Sequence, residues 1–187
     1  MQRESYPYAY VADLARFAGR TVIVRGWVTH TRSSGKVAFV VVRDGTGVVQ
    51  GVIVKTQVPP YVWERFEASS IETCVAVTGE VRADSRAPGG YEMAVADLEI
   101  LGPSAPDYPI QPKEHGVDFL LDHRHLWLRS PRQVAIMRVR HEVEQAIQDF
   151  FYERGFVRVD TPILTAAIGE RSGLFKTEYF DEGFAYL

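Results

Sequence analysis

The sequence predicts a small all-β barrel joined by a proline-rich linker to the opening of an α+β unit, and three features predict it. Between about residues 21 and 101, apolar and polar residues alternate in short runs separated by Gly, Pro, Ser and Asp, the period-two pattern of half-buried strands. Pro103, Pro106, Pro109 and Pro112 follow, and proline at that density stops any regular element. Beyond them come a helical apolar stripe, a glycine and an extended run containing a proline.

The elements follow in order. Residues 8–17 read as a short helix stopped by Gly19. Strands fit 21–31, 37–43, 48–54, 73–83 and 91–101, and 61–68 lies between the third and fourth. The turn Arg32-Ser33-Ser34-Gly35-Lys36 supplies two cations and a glycine between the first two strands. In 133–154, Val134, Met137, Val143, Ile147, Phe150 and Phe151 recur at three- and four-residue spacing, one stripe of a helix. Gly155 stands where a C′ residue belongs, and Pro131 lies near the helix start, where proline is tolerated. Residues 156–164 read as a strand interrupted by Pro162.

Composition bounds the function. With 46% hydrophobic and 24% charged residues the chain is an ordinary globular one, its longest apolar runs are strand length, and Met1-Gln2-Arg3-Glu4 lacks a signal-peptide core. Cys74 is the single cysteine, so no internal disulfide forms and a cytoplasmic location is expected. The net charge of −3 gives no general attraction to nucleic acid, and any RNA binding must rest on a local basic face. Asp122, His115, His123 and His125 do not repeat a structural-zinc spacing, so no metal is expected.

Phe39 can be read two ways, as barrel core or as an outward ring for stacking a base. Parity is compatible with the second: if Val40 and Val42 face inward, Phe39 and Val41 face outward. Gln50 interrupts the apolar run Val48-Val49-Gln50-Gly51-Val52. It is either a solvated edge residue or an amide offering donor and acceptor to a base edge.

Gly26-Trp27-Val28, Arg32, Gly35-Lys36, Phe39, Arg43-Asp44-Gly45-Thr46-Gly47 and Gln50 together resemble the anticodon-binding OB domain of class II aminoacyl-tRNA synthetases of the aspartate, asparagine and lysine subgroup. Arg86-Ala87-Pro88-Gly89-Gly90-Tyr91-Glu92 is similar to the hairpin before the last barrel strand. Tyr108 to His115 and Asp122 to Arg129 resemble the hinge of the asparaginyl type. The resemblance implies an OB-fold anticodon-binding domain over 1–102, a hinge over 103–130, and over 131–187 an incomplete class II catalytic domain containing the first signature motif. OB folds often carry a helix where 61–68 stands.

The same resemblance implies roles. Phe39 stacks on an anticodon base, Gln50 contacts the central uridine, Arg32 contacts RNA, Lys36 reaches a phosphate, and Glu92 lies on the binding side. Pro162 belongs to a homodimer interface. Glu170, in a loop departing from the family pattern at Glu170-Arg171-Ser172-Gly173, recognises the amino acid's α-amino group. The expected whole is an asparagine–tRNA ligase using ATP and Mg²⁺, with tRNA as partner and neither membrane nor DNA involved. The second and third motifs, which hold ATP, are missing from this sequence, as is a Walker loop. The chain is therefore expected to be an N-terminal portion that needs no cofactor and is inactive by itself. An aspartyl-tRNA synthetase portion, or a free-standing OB-fold RNA-binding module, are the alternatives.

Overall fold

Five strands carry the first unit: β1 (Thr21–Ser34), β2 (Val37–Arg43), β3 (Val48–Val54), β4 (Cys74–Ala83) and β5 (Tyr91–Gly102). In the computed structural model, which describes residues 6–165 and 174–187, they close into a barrel in the order β1-β2-β3-β5-β4. β3 and β5 run parallel and the other neighbours antiparallel. The ring closes because β1 is long enough to serve two partners: 21–27 pair with β4, and from Trp27 to Ser34 it pairs with β2. A register shift between Val28 and His30 bends it between the two, the usual work of a bulge. Gly26 lies at the changeover, where an added Cβ would meet the carbonyl oxygen of Arg43 and stand 2.8 Å from Val42 Cγ1.

Alternation builds the core. β2 and β3 each alternate open and buried residues along their length, so Val40, Val42, Val49 and Ile53 point inward to meet Val22, Val24, Val77, Met93 and Leu98. Most are β-branched and suit a pleated wall. Helix α1 (Pro60–Glu67), with proline at its first position, lays Val62, Trp63 and Phe66 on the barrel. A 3₁₀ turn over Val11–Phe17 adds Leu14. Ahead of that turn, Ala9 N–H donates to Ile23 O at 3.0 Å and Ile23 N–H to Pro7 O at 2.9 Å, satisfying the edge of β1 that β2 does not reach.

The chain divides into two compact units, Met1–His123 and Arg124–Leu187. The first ends in α2 (Val117–Asp122), where His115, Phe119 and His123 stack at 4.8 and 4.3 Å between ring centroids. The second holds α3 (Arg124–Trp127), α4 (Pro131–Tyr152) and the short pair β6 (Lys176–Glu178) and β7 (Phe184–Tyr186). Gly155, at φ +82°, turns the chain after α4, and Phe150, Phe151 and Phe156 meet edge to face.

Three expectations change. Residues 156–164 form no strand: Pro162 has no N–H to donate, and the only bridge nearby among the described residues joins Thr165 to Tyr186. The helix read over 8–17 is a 3₁₀ turn beginning at Val11, since Tyr8 is drawn into a bridge with Ile23. Arg32 lies in β1 and not in a turn, because the bulge lets the strand run on to Ser34.

Candidate nucleic-acid interface

Strand register assembles the site. Arg32 pairs with Phe39 across β1 and β2, and Phe39 with Val52 on β3. One step along, Val41 pairs with Gln50, and Gln50 pairs with Glu92 on β5. Cross-strand partners share a face, so Arg32, Phe39, Gln50 and Glu92 stand together on the outside of the barrel. Ala38, Val40 and Val42 are buried while Phe39 is half-buried, which places the ring outward.

The side chains form a chain of contacts. The Arg32 guanidinium lies 4.2 Å from the Phe39 ring centroid, a cation–π distance. Arg32 Nη2 donates to Gln50 Oε1 at 3.2 Å, and Gln50 Nε2 donates to Glu92 Oε2 at 3.4 Å. Arginine only donates and a carboxylate only accepts, so the amide's orientation is fixed by its neighbours. Both bonds exceed the common length of about 2.9–3.0 Å. An incoming group can therefore replace either at small cost.

The connection from β4 to β5 supplies the opposite wall. Asp84, Arg86, Ala87 and Pro88 join Arg32, Phe39, Gln50, Val52 and Glu92 around a cleft of about 420 Å³. Asp84 organises this wall: its Oδ1 accepts the Arg86 backbone N–H at 2.9 Å, and its carbonyl accepts from Ala87 N–H at 3.0 Å. The Arg86 side chain returns to the same carboxylate, Nε at 3.1 Å and Nη2 at 2.9 Å. That guanidinium holds the Asp84 carboxyl below the usual carboxylate range. Sequence reading did not single out Asp84 or Arg86. The signal was present in Asp84-Ser85-Arg86, an acid two residues before an arginine in a turn.

Two arginines against two carboxylates leave the cleft balanced in charge. Such a site is a poor sink for phosphate and a good reader of base edges, which carry donors and acceptors on one planar rim. Lys36 sits in the turn between β1 and β2, exposed and outside the cleft lining. Pro162 is exposed in the second unit, and Glu170 lies outside the described residues. Among the described residues no three His, Cys, Asp or Glu gather as a metal would need, and no helix is long and apolar enough to cross a membrane.

Residues 22–101 match the family described as OB-fold nucleic acid binding domain, and residues 116–187 that described as tRNA synthetases class II (D, K and N). Over these two stretches the chain is similar to class II tRNA synthetases. It is 50% identical over 182 residues to the asparagine–tRNA ligase of Chloroflexus aurantiacus, covering 97% of this chain and 41% of the relative. Against the asparagine–tRNA ligase of Thermus thermophilus the identity is 49% over 179 residues, 95% of this chain and 41% of the relative. The chain thus spans about two-fifths of these synthetases. The crystal structure of asparaginyl-tRNA synthetase from Pyrococcus horikoshii complexed with asparaginyl-adenylate superposes with a TM-score of 0.81 at 35% identity, over 100% of this chain and 43% of that one. An aspartyl tRNA synthetase from Entamoeba histolytica reaches a TM-score of 0.73 at 20% identity, over 86% of this chain and 40% of that one. The second likeness concerns the fold alone, which class II synthetases of both specificities share.

Proposed function

We propose that the cleft reads an unpaired base of a tRNA anticodon loop, and that the chain does so as part of an asparagine–tRNA ligase. The observation that carries the reading is the single outward cluster of Arg32, Phe39, Gln50 and Glu92. A base entering the cleft takes the place of the Arg32 guanidinium over Phe39, exchanging one flat cation for a larger flat ring at about 1–3 kcal/mol of stacking. Gln50 then turns its carbonyl to the N3–H of a uridine and its amide N–H to an adjacent carbonyl, whereas cytosine presents an acceptor at N3 and meets the amide only with donor and acceptor exchanged, against the orientation its neighbours set. Released from Gln50, Arg32 serves the neighbouring phosphate, and Glu92 accepts from the amino or imino group of a second base. Lys36, at the hairpin tip, takes a phosphate farther along the strand.

The complete enzyme activates asparagine with ATP and Mg²⁺ and transfers it to its tRNA in the cytoplasm, as a homodimer paired through the segment that contains Pro162. Glu170 binds the α-amino group of asparagine. The residues that hold ATP are not among those of this chain, and the chain by itself forms no adenylate. The ligase names of the relatives at about half identity favour asparagine over aspartate.

Competition between two anticodon stem-loops tests the reading, one with the central uridine and one with cytidine in its place. The wild-type chain prefers uridine about tenfold, and Gln50→Met, which keeps the side chain's length and removes the amide, binds both alike. A wild-type chain that does not distinguish the loops defeats it.

A further inference from the structure

Arg86 stands at the rim of the cleft with its side chain 89% exposed, while the side chain of its partner Asp84 is 19% exposed. Asp84 engages one edge of the guanidinium, Nε and Nη2. An arginine has five N–H donors in a flat fork, so the edge formed by Nη1 and Nη2 faces away from the carboxylate. Two carboxylates inside the cleft, Asp84 and Glu92, would repel a phosphate, and the loop answers them with a cation at the entrance that one of them holds in place. The pinned backbone fixes where the cation stands: Ala87 N–H to Asp84 O at 3.0 Å, Gly90 N–H to Ala87 O at 2.9 Å and Asp84 N–H to Gly90 O at 3.0 Å close the loop on itself between the end of β4 and the start of β5.

We propose that Arg86 is a phosphate clamp for the RNA strand whose base enters the cleft, with Asp84 as the positioning residue that presents its free edge. The inference rests on the cleft's reading of an RNA base. A phosphodiester accepts two parallel N–H bonds from that edge, while the base beyond it faces Phe39 and Gln50. Arg86 thereby contributes affinity without regard to which base is bound, and the readers deeper in the cleft contribute the choice.

The test is a salt titration of binding to the central-uridine and central-cytidine stem-loops, with the whole chain and with Arg86→Ala, Arg86→Lys, Asp84→Asn and Phe39→Ala. Neutralising one phosphate contact of a single strand changes the slope of log K against log salt by about 0.7. Arg86→Ala is expected to reduce the slope by that amount and to weaken both stem-loops equally, by roughly tenfold at low salt. Arg86→Lys restores the slope and only part of the affinity, since a point charge replaces a fork. Asp84→Asn keeps the acceptor for the Arg86 backbone and loses the two-oxygen grip on the guanidinium, so both stem-loops bind several-fold less tightly while the slope is retained; unchanged binding removes Asp84 from the positioning role. Arg86→Ala with an unchanged slope overturns the inference, as does Arg86→Ala with altered preference between the loops, which would make Arg86 a base reader. If Phe39→Ala loses the preference while Arg86→Ala changes nothing, the clamp is wrong and the base reading stands. If Arg86→Ala lowers the slope while Phe39→Ala is silent, the clamp stands and the base reading is wrong.

Discussion

At the scale of single residues, the barrel separates those that hold it from those that face the cleft. Arg43 Nη2 donates to both oxygens of Glu72 at 2.9 and 3.1 Å, with side chains 19% and 10% exposed. Breaking this partly buried pair by Arg43→Ala removes the two charge-assisted bonds from Arg43 and should lower the unfolding free energy by about 2–3 kcal/mol, measured in urea. Phe39→Ala, on the open face, should leave the urea midpoint nearly unchanged and act on RNA affinity instead. Asp84 adds a pH dependence. Its folded-state carboxyl is depressed by Arg86, so the stabilisation is complete above the ordinary aspartate value and is lost as pH falls through the depressed one. The Arg86 backbone amide resonance should therefore hold steady from neutral pH to about pH 5 and shift only in stronger acid. Phe39 and Gln50 were legible through the family resemblance, with strand parity, a local rule, agreeing for Phe39. Arg86 was not, because its significance comes from β5 and β3 lying side by side, a parallel pairing between distant segments that no short window displays.

Elements tell the same story at longer range. The five strands were readable from alternation, since each buries one face and the pattern repeats every second residue, whereas α1 was placed by the OB fold's habit of carrying a helix there. The extension of β1 to Ser34 was not, because a bulge shifts the register after Val28 and moves the apparent turn. The supposed strand over 156–164 looked right in composition and failed for want of a pairing partner. Closure of the ring depends on close approach at Gly26, where any side chain would strike β2. Gly26→Ala should cost about 2 kcal/mol or more, visible as a lower melting temperature with loss of barrel signal in circular dichroism. Gly35, whose added Cβ would meet nothing within 4 Å, offers the contrast: alanine there costs only the strain of its positive φ, about 1 kcal/mol.

On the scale of the molecule, the two units differ in how much apolar surface they cover. The barrel buries Val22, Val24, Val40, Ile53, Met93 and Leu98 almost completely, whereas no residue of α4 is buried and Phe156, Phe175 and Phe180 stand 61%, 79% and 87% exposed. Limited proteolysis should thus cut first beyond residue 124 and leave a resistant barrel fragment; equal protection of both units would contradict this. The net charge of −3 and the balanced cleft together predict a shallow salt dependence. Base recognition at Phe39 and Gln50 carries the choice of RNA, which makes the decisive measurement a four-cornered one. Affinity would be determined for an asparagine anticodon stem-loop with its central uracil present or removed to leave an abasic site, in the wild-type chain and in Phe39→Ala. Removing the base should weaken the wild type by about tenfold or more and leave Phe39→Ala almost unaffected, because ring and base act as one contact. Equal losses in both proteins would show that the base is held elsewhere and that the cleft around Phe39 is not its reader.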